Sequence, residues 1–221
     1  RDLHLSLRRQ RQMCIRDRSM GRPIHGVEGH PLVIQEGRPA ENVGAAIHGN
    51  LAVYVRNAAL LEVNPWTGEH SVAVSGVRNS YDGAWMDGVG YLFTDNGRDW
   101  DGDEYPPEEL NLLVSDAAYG WPDDSPENPS PTGTLGPVAT FTPHSSINGI
   151  DVRPDTSSLP GGNRTVYVTV FGSWNTLVPN GEQLIRIDLV EDSNSSQGWR
   201  GEVTVVIEDL PTVLPVRFHP D

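Results

Sequence analysis

The stretch DGAWMDGVGYLFT, residues 82–94, decides the fold of this 221-residue chain. It contains two short apolar runs, DGAWM at 82–86 and GYLFT at 90–94, separated by a few residues that include Asp and Gly. Short runs with aromatic and other apolar residues, bounded by turn residues, are typical of β-strands. The stretch therefore predicts two neighbouring strands joined by a tight connection.

The same pattern continues on both sides, from about residue 44 to the end of the chain. No amphipathic helix of three turns is predicted after the first twenty residues. The sequence thus predicts an all-β fold. The predicted strands are 51–55, 59–63, 70–74, 82–86, 90–94, 109–114, 138–142, 148–152, 165–170, 182–189 and 202–208.

An internal repeat narrows the choice among all-β folds. DGAW, NGID and LPVR each begin a predicted strand, at residues 82, 148 and 214, which are 66 residues apart. Units of four short antiparallel strands in tandem are typical of β-propeller blades, and a β-sandwich is the alternative. We expect about three blades: the end of one at about 44–77, a second at 78–143, a third at 144–210, and then the first strand of a fourth. Closed propellers have about four to eight blades, so the chain is expected to be a fragment of a larger ring.

Composition excludes several functions. The formal charge is −14 and the pI is about 4.8, with sixteen arginines and no lysine, so a nucleic-acid partner is not expected. The single cysteine, Cys14, excludes an internal disulfide and a thiolate metal site. No apolar run approaches the roughly 20 residues that would span a bilayer.

Residues 1–20 differ from the rest of the chain, because they hold six of the sixteen arginines, the only cysteine and two of the three methionines. No apolar segment of about 7–15 residues follows the arginines, so a secretory signal is not predicted. The string RQRQMCIRDR resembles a translated sequencing adapter. We expect residues 1–20 to be a non-native or disordered leader and residues 21–221 to form the partial propeller.

The most unusual stretch is TDNGRDWDGDEYPPEELN at 94–111, which contains seven carboxylates and one arginine. It follows the predicted strand 90–94 and precedes the strand 109–114, so it forms a long connection within one blade. Three interpretations stay open: a solvated acidic loop, a cage for a hard cation such as Ca²⁺, or a rim that faces a substrate. The spacing does not fit an EF-hand loop.

Five strings in order identify a resemblance: SGVRNSYDGAW, LFTDNGRDWDGDEYPPEELNLL, AAYGWP, VFGSWN and LPVRFHPD, spread over residues 60–221. Together they resemble the glucose/sorbosone dehydrogenase family, the soluble quinoprotein sugar dehydrogenases. The resemblance implies a six-bladed propeller that carries pyrroloquinoline quinone (PQQ) and Ca²⁺ and oxidises a sugar. It also implies an external electron acceptor and a periplasmic or secreted location.

The resemblance places Arg78 and Asn79 beside the quinone, where fixed donors stabilise oxygens that gain charge. Trp174 would face the same cleft. Each of these positions also has a structural interpretation. Arg78 is equally compatible with a hydrogen-bonding arginine between blades, and Trp174 with a packing residue between blades.

For Ca²⁺, the resemblance implies that the main-chain carbonyls of Gly97 and Arg98 are ligands. It also associates Glu109 with a structural calcium, although an exposed carboxylate at the rim is the alternative for that residue.

The chain departs from the family pattern at two places. The general-base histidine of the family falls upstream of the matched region, and the surroundings of His48, the nearest candidate, do not match. The string PTVLPVR contains one basic residue, Arg217, where the family has cofactor-binding arginines. A quinone with three carboxylates needs cationic partners. A sugar dehydrogenase fragment and a non-catalytic propeller that binds calcium, and carbohydrate or protein, therefore both stay open.

Overall fold

The computed structural model of the chain describes the backbone of residues 32–36 and, from residue 59 onward, nearly all positions. The described residues after position 36 are 59–64, 66–67, 69–173, 175–210 and 213–218, with residues 63 and 70 described for their backbone alone. The leader at 1–20 and the predicted strand at 51–55 lie outside the described residues. Within the described residues, no helix has the length and apolar character needed to cross a membrane.

Eleven strands are described. They form three sheets, and neighbouring strands within each sheet are antiparallel. The first sheet has the order β1-β2-β3, the second β4-β5-β6-β7 and the third β8-β9-β10-β11. The bounds are β1 Leu32–Glu36, β2 Ala59–Val63, β3 His70–Ser75, β4 Ser80–Met86, β5 Gly90–Asp95, β6 Glu108–Leu112, β7 Ala139–Phe141, β8 Ile147–Val152, β9 Thr165–Val170, β10 Gln183–Glu191 and β11 Trp199–Ile207.

These sheets confirm the all-β prediction and the prediction of about three propeller blades. In the second and third sheets the strands pair in chain order, as in a blade built by a simple meander. The predicted strands that lie within the described residues each correspond to an observed strand. One strand, β1, falls in a stretch that the sequence pattern did not assign, because its apolar run LVI is only three residues long.

The segment that begins at Leu214 runs beside β8 without joining a ladder. Its Leu214 carbonyl accepts a hydrogen bond from the Gly149 amide at 2.9 Å, and Arg217 donates to the Ile150 carbonyl at 2.9 Å. The third repeat at 214–217 therefore occupies the position next to the inner strand of the preceding blade.

Two apolar clusters hold the blades together. One lies between the second and third sheets and includes Leu92, Leu110 and Ile147, all fully buried. The other joins the first sheet to the second, where Leu60 and Val74 pack with Phe93 and Tyr119. Alternating side chains on the strands place one apolar row on each face of a blade, and each row needs a neighbouring blade to cover it.

The junctions between blades repeat one hydrogen bond. The hydroxyl of Thr94, on β5, donates to the carbonyl of Asn148 at 3.1 Å. In the next blade Thr169, on β9, donates to the carbonyl of Leu214 at 2.7 Å. The two acceptors are 66 residues apart and are the first residues of their repeats. The sequence repeat is therefore a structural repeat of the inner strands.

A buried glutamine locks the outer part of the third blade onto the second. Gln197, in the turn between β10 and β11, accepts from the Leu112 amide at 2.6 Å. Its amide donates to the Asn111 side chain at 2.9 Å and to the Gly136 carbonyl at 2.6 Å. The contacts with Leu112 and Asn111 are buried, so these two groups depend on Gln197 for a partner, whereas the Gly136 carbonyl also accepts from the Ser196 hydroxyl at 3.2 Å.

Replacing Gln197 with Ala should lower the free energy of unfolding by about 2–3 kcal/mol, because buried donors and acceptors in the second blade lose their partners. Urea unfolding measures this change. The exposed neighbour Asn194, changed to Ala, serves as the control and should shift stability by no more than about 0.5 kcal/mol. Equal effects of the two changes would contradict the assigned role.

Candidate functional site

The candidate site lies where the loop between β3 and β4 meets the acidic connection between β5 and β6. Asp95, the last residue of β5, accepts hydrogen bonds from the backbone amides of Arg78 at 2.9 Å and Asn79 at 2.7 Å. In return, the Asn96 amide donates to the Asn79 carbonyl at 3.1 Å. The buried Asp95 carboxyl thus fixes the backbone of the two residues that the resemblance places beside the quinone.

The Arg78 side chain points into the acidic connection. Its guanidinium donates to the main-chain carbonyls of Asn96, at 3.3 Å, and Gly97. It also forms an ion pair with Asp99 at 3.2 Å. The residue assigned to the quinone and the carbonyl assigned to Ca²⁺ are therefore in direct contact.

A second buried carboxyl group, that of Glu108, binds the backbone amide of Gly97. The Gly97 amide donates to Glu108 at 2.6 Å, and the other oxygen of Glu108 accepts from the Ser146 amide at 3.3 Å. A Cβ atom at position 97 would lie 2.4 Å from Cγ of Pro106. Only glycine allows the chain to pass this close to the proline ring, which explains the glycine inside the acidic run.

Arg98 is the centre of the acidic connection. Its buried guanidinium pairs with Asp101 and with both carboxylate oxygens of Asp124, at 2.9 and 3.1 Å. The rings of Trp121 and Tyr105 lie 5.1 and 5.6 Å from the guanidinium carbon. The family resemblance implies a role for the main-chain carbonyl at this position. The structure shows that the side chain neutralises two of the carboxylates and orders the loop.

A histidine from another blade supports the same loop. Nε2 of the buried His144 lies 2.7 Å from the Gly102 carbonyl, and Nδ1 lies 3.4 Å from Nδ2 of Asn175. A carbonyl only accepts, so we assign the proton to Nε2, which leaves Nδ1 to accept from the Asn175 amide. Both ring nitrogens therefore have partners, and His144 connects the loop at Gly102 to the loop at Asn175. Asn175 also approaches the Asp99 carboxylate at 3.4 Å.

Burial raises the pKa of three carboxyl groups around this site. The pKa of Asp95 and that of Glu108 rise to about 7, because both groups are shielded from water. Burial also raises the pKa of Glu109, to about 8, with further contributions from Asp95 and Asp124. Glu109 accepts one hydrogen bond from the Asn111 amide at 3.1 Å. Burial thus favours the protonated form of these three carboxyl groups and lowers the negative charge that the site carries.

The structure brings four of the predicted residues together: Arg78, Asn79, Gly97 and Arg98. Glu109 lies on β6, one residue after Glu108. Trp174 and His48 lie outside the described residues. Among the described side chains, no group of three or more His, Cys, Asp and Glu residues is arranged to hold a metal ion. The seven carboxylates of the acidic run are instead directed to different partners or to solvent.

Sequence reasoning did not identify Asp124, His144 or Asn175 as parts of this site. They are 26, 42 and 76 residues from Arg98, Gly102 and Asp99, their respective partners. No local pattern relates residues this far apart. The string AAYGWP, which ends two residues before Asp124, was the nearest available signal.

Comparisons with known proteins agree with this fold. No protein-family model matches the chain. A Borreliella burgdorferi protein described as uncharacterized is 23% identical over 168 residues, which is 66% of this chain and 41% of that protein. A putative oxidoreductase (glucose dehydrogenase) from Thermus thermophilus aligns with a TM-score of 0.59 and 20% identity, covering 86% of this chain and 53% of that one.

A third comparison is the calcium structure of a Trichoderma reesei carbohydrate-active enzyme of family AA12, with a TM-score of 0.60 and 16% identity. It covers 86% of this chain and 60% of that one. The chain therefore spans about half the length of the proteins that it resembles. At these identities the comparisons show the fold, and the chain has the propeller fold of sugar dehydrogenases over part of its length.

The contacts of the buried Arg98 guanidinium with the partly buried Asp124 and Asp101 carboxylates predict a loss of stability on truncation. Arg98→Ala should lower the free energy of unfolding by about 2–3 kcal/mol, because partly buried carboxylates lose their charge-assisted hydrogen bonds. Arg98→Lys should not restore it fully, since lysine cannot form the bidentate contact. Chemical denaturation measures both variants. Arg164→Ala, which breaks the exposed pair with Glu191, is the control and should cost at most about 1 kcal/mol.

The raised pKa of Glu108 predicts a specific pH dependence. The pKa of Glu108 is about 7 in the folded chain, against an ordinary value of 4.5. At a pH between these two values, Glu108 holds a proton in the folded state and has released it in the unfolded state. The free energy of unfolding should therefore fall as the pH rises through this window. In Glu108→Gln this component should be absent, so the stability gap between wild type and variant should change with pH. Parallel curves would contradict the assignment.

Proposed function

We propose that this chain is the part of a sugar-oxidising propeller that carries a binding site for PQQ and Ca²⁺, in a periplasmic or secreted protein. The observation that supports this proposal best is the contact between Arg78 and the Gly97 carbonyl. The resemblance assigns one of these residues to the quinone and the other to calcium, and the two lie at the same point of the fold. The alignment with sugar dehydrogenase structures supports the same conclusion.

The chemistry of the donors fits a quinone. The Arg78 guanidinium is charged, buried and held on both sides, by Asp95 through its backbone and by Asp99 through its side chain. Such a fixed cation favours oxygens that gain negative charge when a quinone is reduced. The Asn175 amide, bonded to Asp99, is a second donor at the same place. PQQ, when bound, would accept the two electrons that the sugar loses and pass them to an external acceptor.

The oxygens around Arg78 are of the kind that a hard cation prefers. The carbonyls of Asn96 and Gly97 and the carboxylate of Asp99 accept hydrogen bonds from the guanidinium, and Ca²⁺ binds carbonyl and carboxylate oxygens of this kind. Because the guanidinium occupies these oxygens, Ca²⁺ would bind the Gly97 carbonyl only in exchange for Arg78.

In this proposal the chain's own residues position and insulate the cofactor. The Asp95 carboxyl fixes the backbone of Arg78 and Asn79. The Glu108 carboxyl fixes the backbone of Gly97. Arg98 keeps the acidic connection folded against Trp121. A base that takes the proton of the sugar hydroxyl is not assigned to His144, because both of its ring nitrogens already have partners.

A second function is favoured by a specific observation, the shortage of unneutralised cations. The two arginines of the site are each paired with carboxylates, Arg78 with Asp99 and Arg98 with Asp101 and Asp124. The chain contains no lysine to add positive charge. A tricarboxylate would bind weakly under these conditions, because both guanidinium groups already have carboxylate partners, whereas the formal charge of −14 of the whole chain favours a cation over an anion. On this alternative the propeller binds calcium, and carbohydrate or protein, without catalysis.

Reconstitution separates the two functions. If the oxidoreductase proposal is correct, PQQ and Ca²⁺ together should raise the midpoint of thermal unfolding more than Ca²⁺ alone, because a ligand that binds only the folded state stabilises it. Addition of a sugar should then reduce an artificial electron acceptor. Arg78→Ala should weaken PQQ binding at least about tenfold, as expected for loss of a charge-assisted contact.

Arg200→Ala, at an exposed position of β11, is the matched control and should bind PQQ like the wild type. Stabilisation by Ca²⁺ alone, with no further effect of PQQ, would overturn the oxidoreductase proposal and support the binding module. Equal PQQ affinity in Arg78→Ala and the wild type would contradict the role assigned to Arg78.

A further inference from the structure

The outer strand of the third blade, β11, has one edge without a neighbouring strand among the described residues. It is the end strand of its sheet and pairs on its other side with β10. Residues 202–209 are all exposed, and the exposed fractions of Val203, Val205 and Ile207 are 43, 42 and 44%. An exposed edge that carries apolar side chains is a template for pairing with another strand.

The backbone groups of two valines point out from this edge. The Gly201 amide points away from β10, because it donates to the Val138 carbonyl of the second blade at 2.9 Å. In an antiparallel ladder every second residue directs both of its backbone groups to the same side. The pairing with β10 is regular from Gly201 to Val205, so Val203 and Val205 also direct their amides and carbonyls outward. Among the described residues, no group pairs with these outward amides and carbonyls.

The sequence of this edge does not block strand addition. Soluble proteins usually protect an open edge with lysine, proline or an inward-pointing charge. Residues 203–207, with the sequence VTVVI, contain none of these and consist of β-branched residues, which favour strands. The bulge in the pairing with β10 falls after Val205, so both outward valines lie in the regular part of the ladder. The edge can therefore accept a second strand at Val203 and Val205.

Charges of opposite sign at the two ends of β11 indicate which strand fits. Arg200 lies near the start of β11, and Glu208 and Asp209 follow its end. A second copy of β11 that runs antiparallel places Arg200 of each chain near Glu208 of the other, whereas a parallel copy would bring like charges together.

Arg200 has donors left for such a contact. Within its own chain it contacts Glu202 at 3.0 Å and Asp192 at 3.8 Å. The Arg200 and Glu202 side chains are 51 and 55% exposed, so this ion pair is weak. A guanidinium group has five N–H donors, and these two contacts leave several of them open to a further carboxylate.

We propose that β11 is a self-association edge, at which two copies of this chain pair antiparallel through Val203 and Val205. Thr204 lies on the twofold axis, and Val203 of each chain exchanges two backbone hydrogen bonds with Val205 of the other. The two four-stranded sheets thereby form one continuous sheet. The paired segment is short, so the dimer is weak and its population depends on protein concentration. This inference is independent of the proposed function.

Sedimentation equilibrium of the 221-residue chain tests the inference and should show a reversible equilibrium between monomer and dimer. Val205→Pro should weaken dimerisation at least about tenfold, because it removes an outward amide donor from the shared ladder. The midpoint of chemical unfolding should change little in this variant, since β10 does not use that amide and proline is tolerated at the outer side of an edge strand.

Charge exchange tests the register of the two strands. Arg200→Glu and Glu208→Arg should each weaken the dimer about tenfold, because each variant places like charges together at both ends of the paired strands. An equimolar mixture of these two variants should dimerise more tightly than either variant alone, because the mixed dimer restores opposite charges at both ends. Glu127→Arg, in an exposed loop between β6 and β7, is the matched control and should dimerise like the wild type.

Three results would overturn the inference: a chain that stays monomeric at every concentration, Val205→Pro that dimerises like the wild type, or mixed charge variants that associate no better than each alone. The charge variants leave the backbone of β11 unchanged, so they test the inference even if Val205→Pro fails to fold. Amide hydrogen exchange identifies the occupant of the edge, since the Val203 and Val205 amides should gain protection as the protein concentration rises. Protection of both amides in a monomeric chain would show that another segment of the same chain covers the edge, which would also overturn the inference.

Discussion

The buried Asp95 carboxyl, bonded to the backbone amides of Arg78 and Asn79, is the contact on which the candidate site depends. It joins the end of β5 to the loop before β4 and so fixes where the Arg78 guanidinium can reach. From there Arg78 meets the carbonyls of Asn96 and Gly97. The Asn96 amide, which donates to the Asn79 carbonyl at 3.1 Å, holds the β3–β4 loop against the acidic connection in the same register.

The acidic connection is ordered because its charges are divided among different partners. Arg98 forms ion pairs with Asp101 and Asp124, and Arg78 forms one with Asp99. The carboxyl groups of Asp95 and Glu108 accept hydrogen bonds from backbone amides. The carboxylates of this connection would repel one another if they were left together, and each of these local contacts removes part of that repulsion. Most of these partners belong to the second blade. The Ser146 amide, which donates to Glu108, and His144, which contacts the Gly102 carbonyl, come from the third blade, so the loop conformation depends in part on the packing of these two blades.

The fold was largely predictable from sequence, because its signals are local. The pattern ALLEV gave β2 with its observed bounds, and TVYVTV gave β9 in the same way. The repeat at 82, 148 and 214 predicted the blade junctions, which the structure shows as equivalent threonine hydrogen bonds. By contrast, β1 was not predicted, since a run of three apolar residues carries too little periodic signal.

The site was predictable only in part. Resemblance gave Arg78, Asn79, Gly97 and Arg98, which share one region of the fold. It could not give the contacts that Asp124 and His144 make from distant loops, nor the use of the Arg98 side chain as the centre of a cluster. The Arg98 cluster depends on how two long loops of one blade fold together, and the His144 contact depends on the packing of two blades. No single stretch of sequence encodes either.

The most direct test of this account is amide hydrogen exchange of the chain in the absence of Ca²⁺. If carboxylates and arginines order the loop by themselves, the amides of Arg78, Asn79 and Gly97 should be protected at a level similar to those of β5. Addition of Ca²⁺ should change that protection little. Exchange of these amides at the rate of an open loop, with protection acquired only when Ca²⁺ is added, would contradict the claim that the site is built before the ion binds.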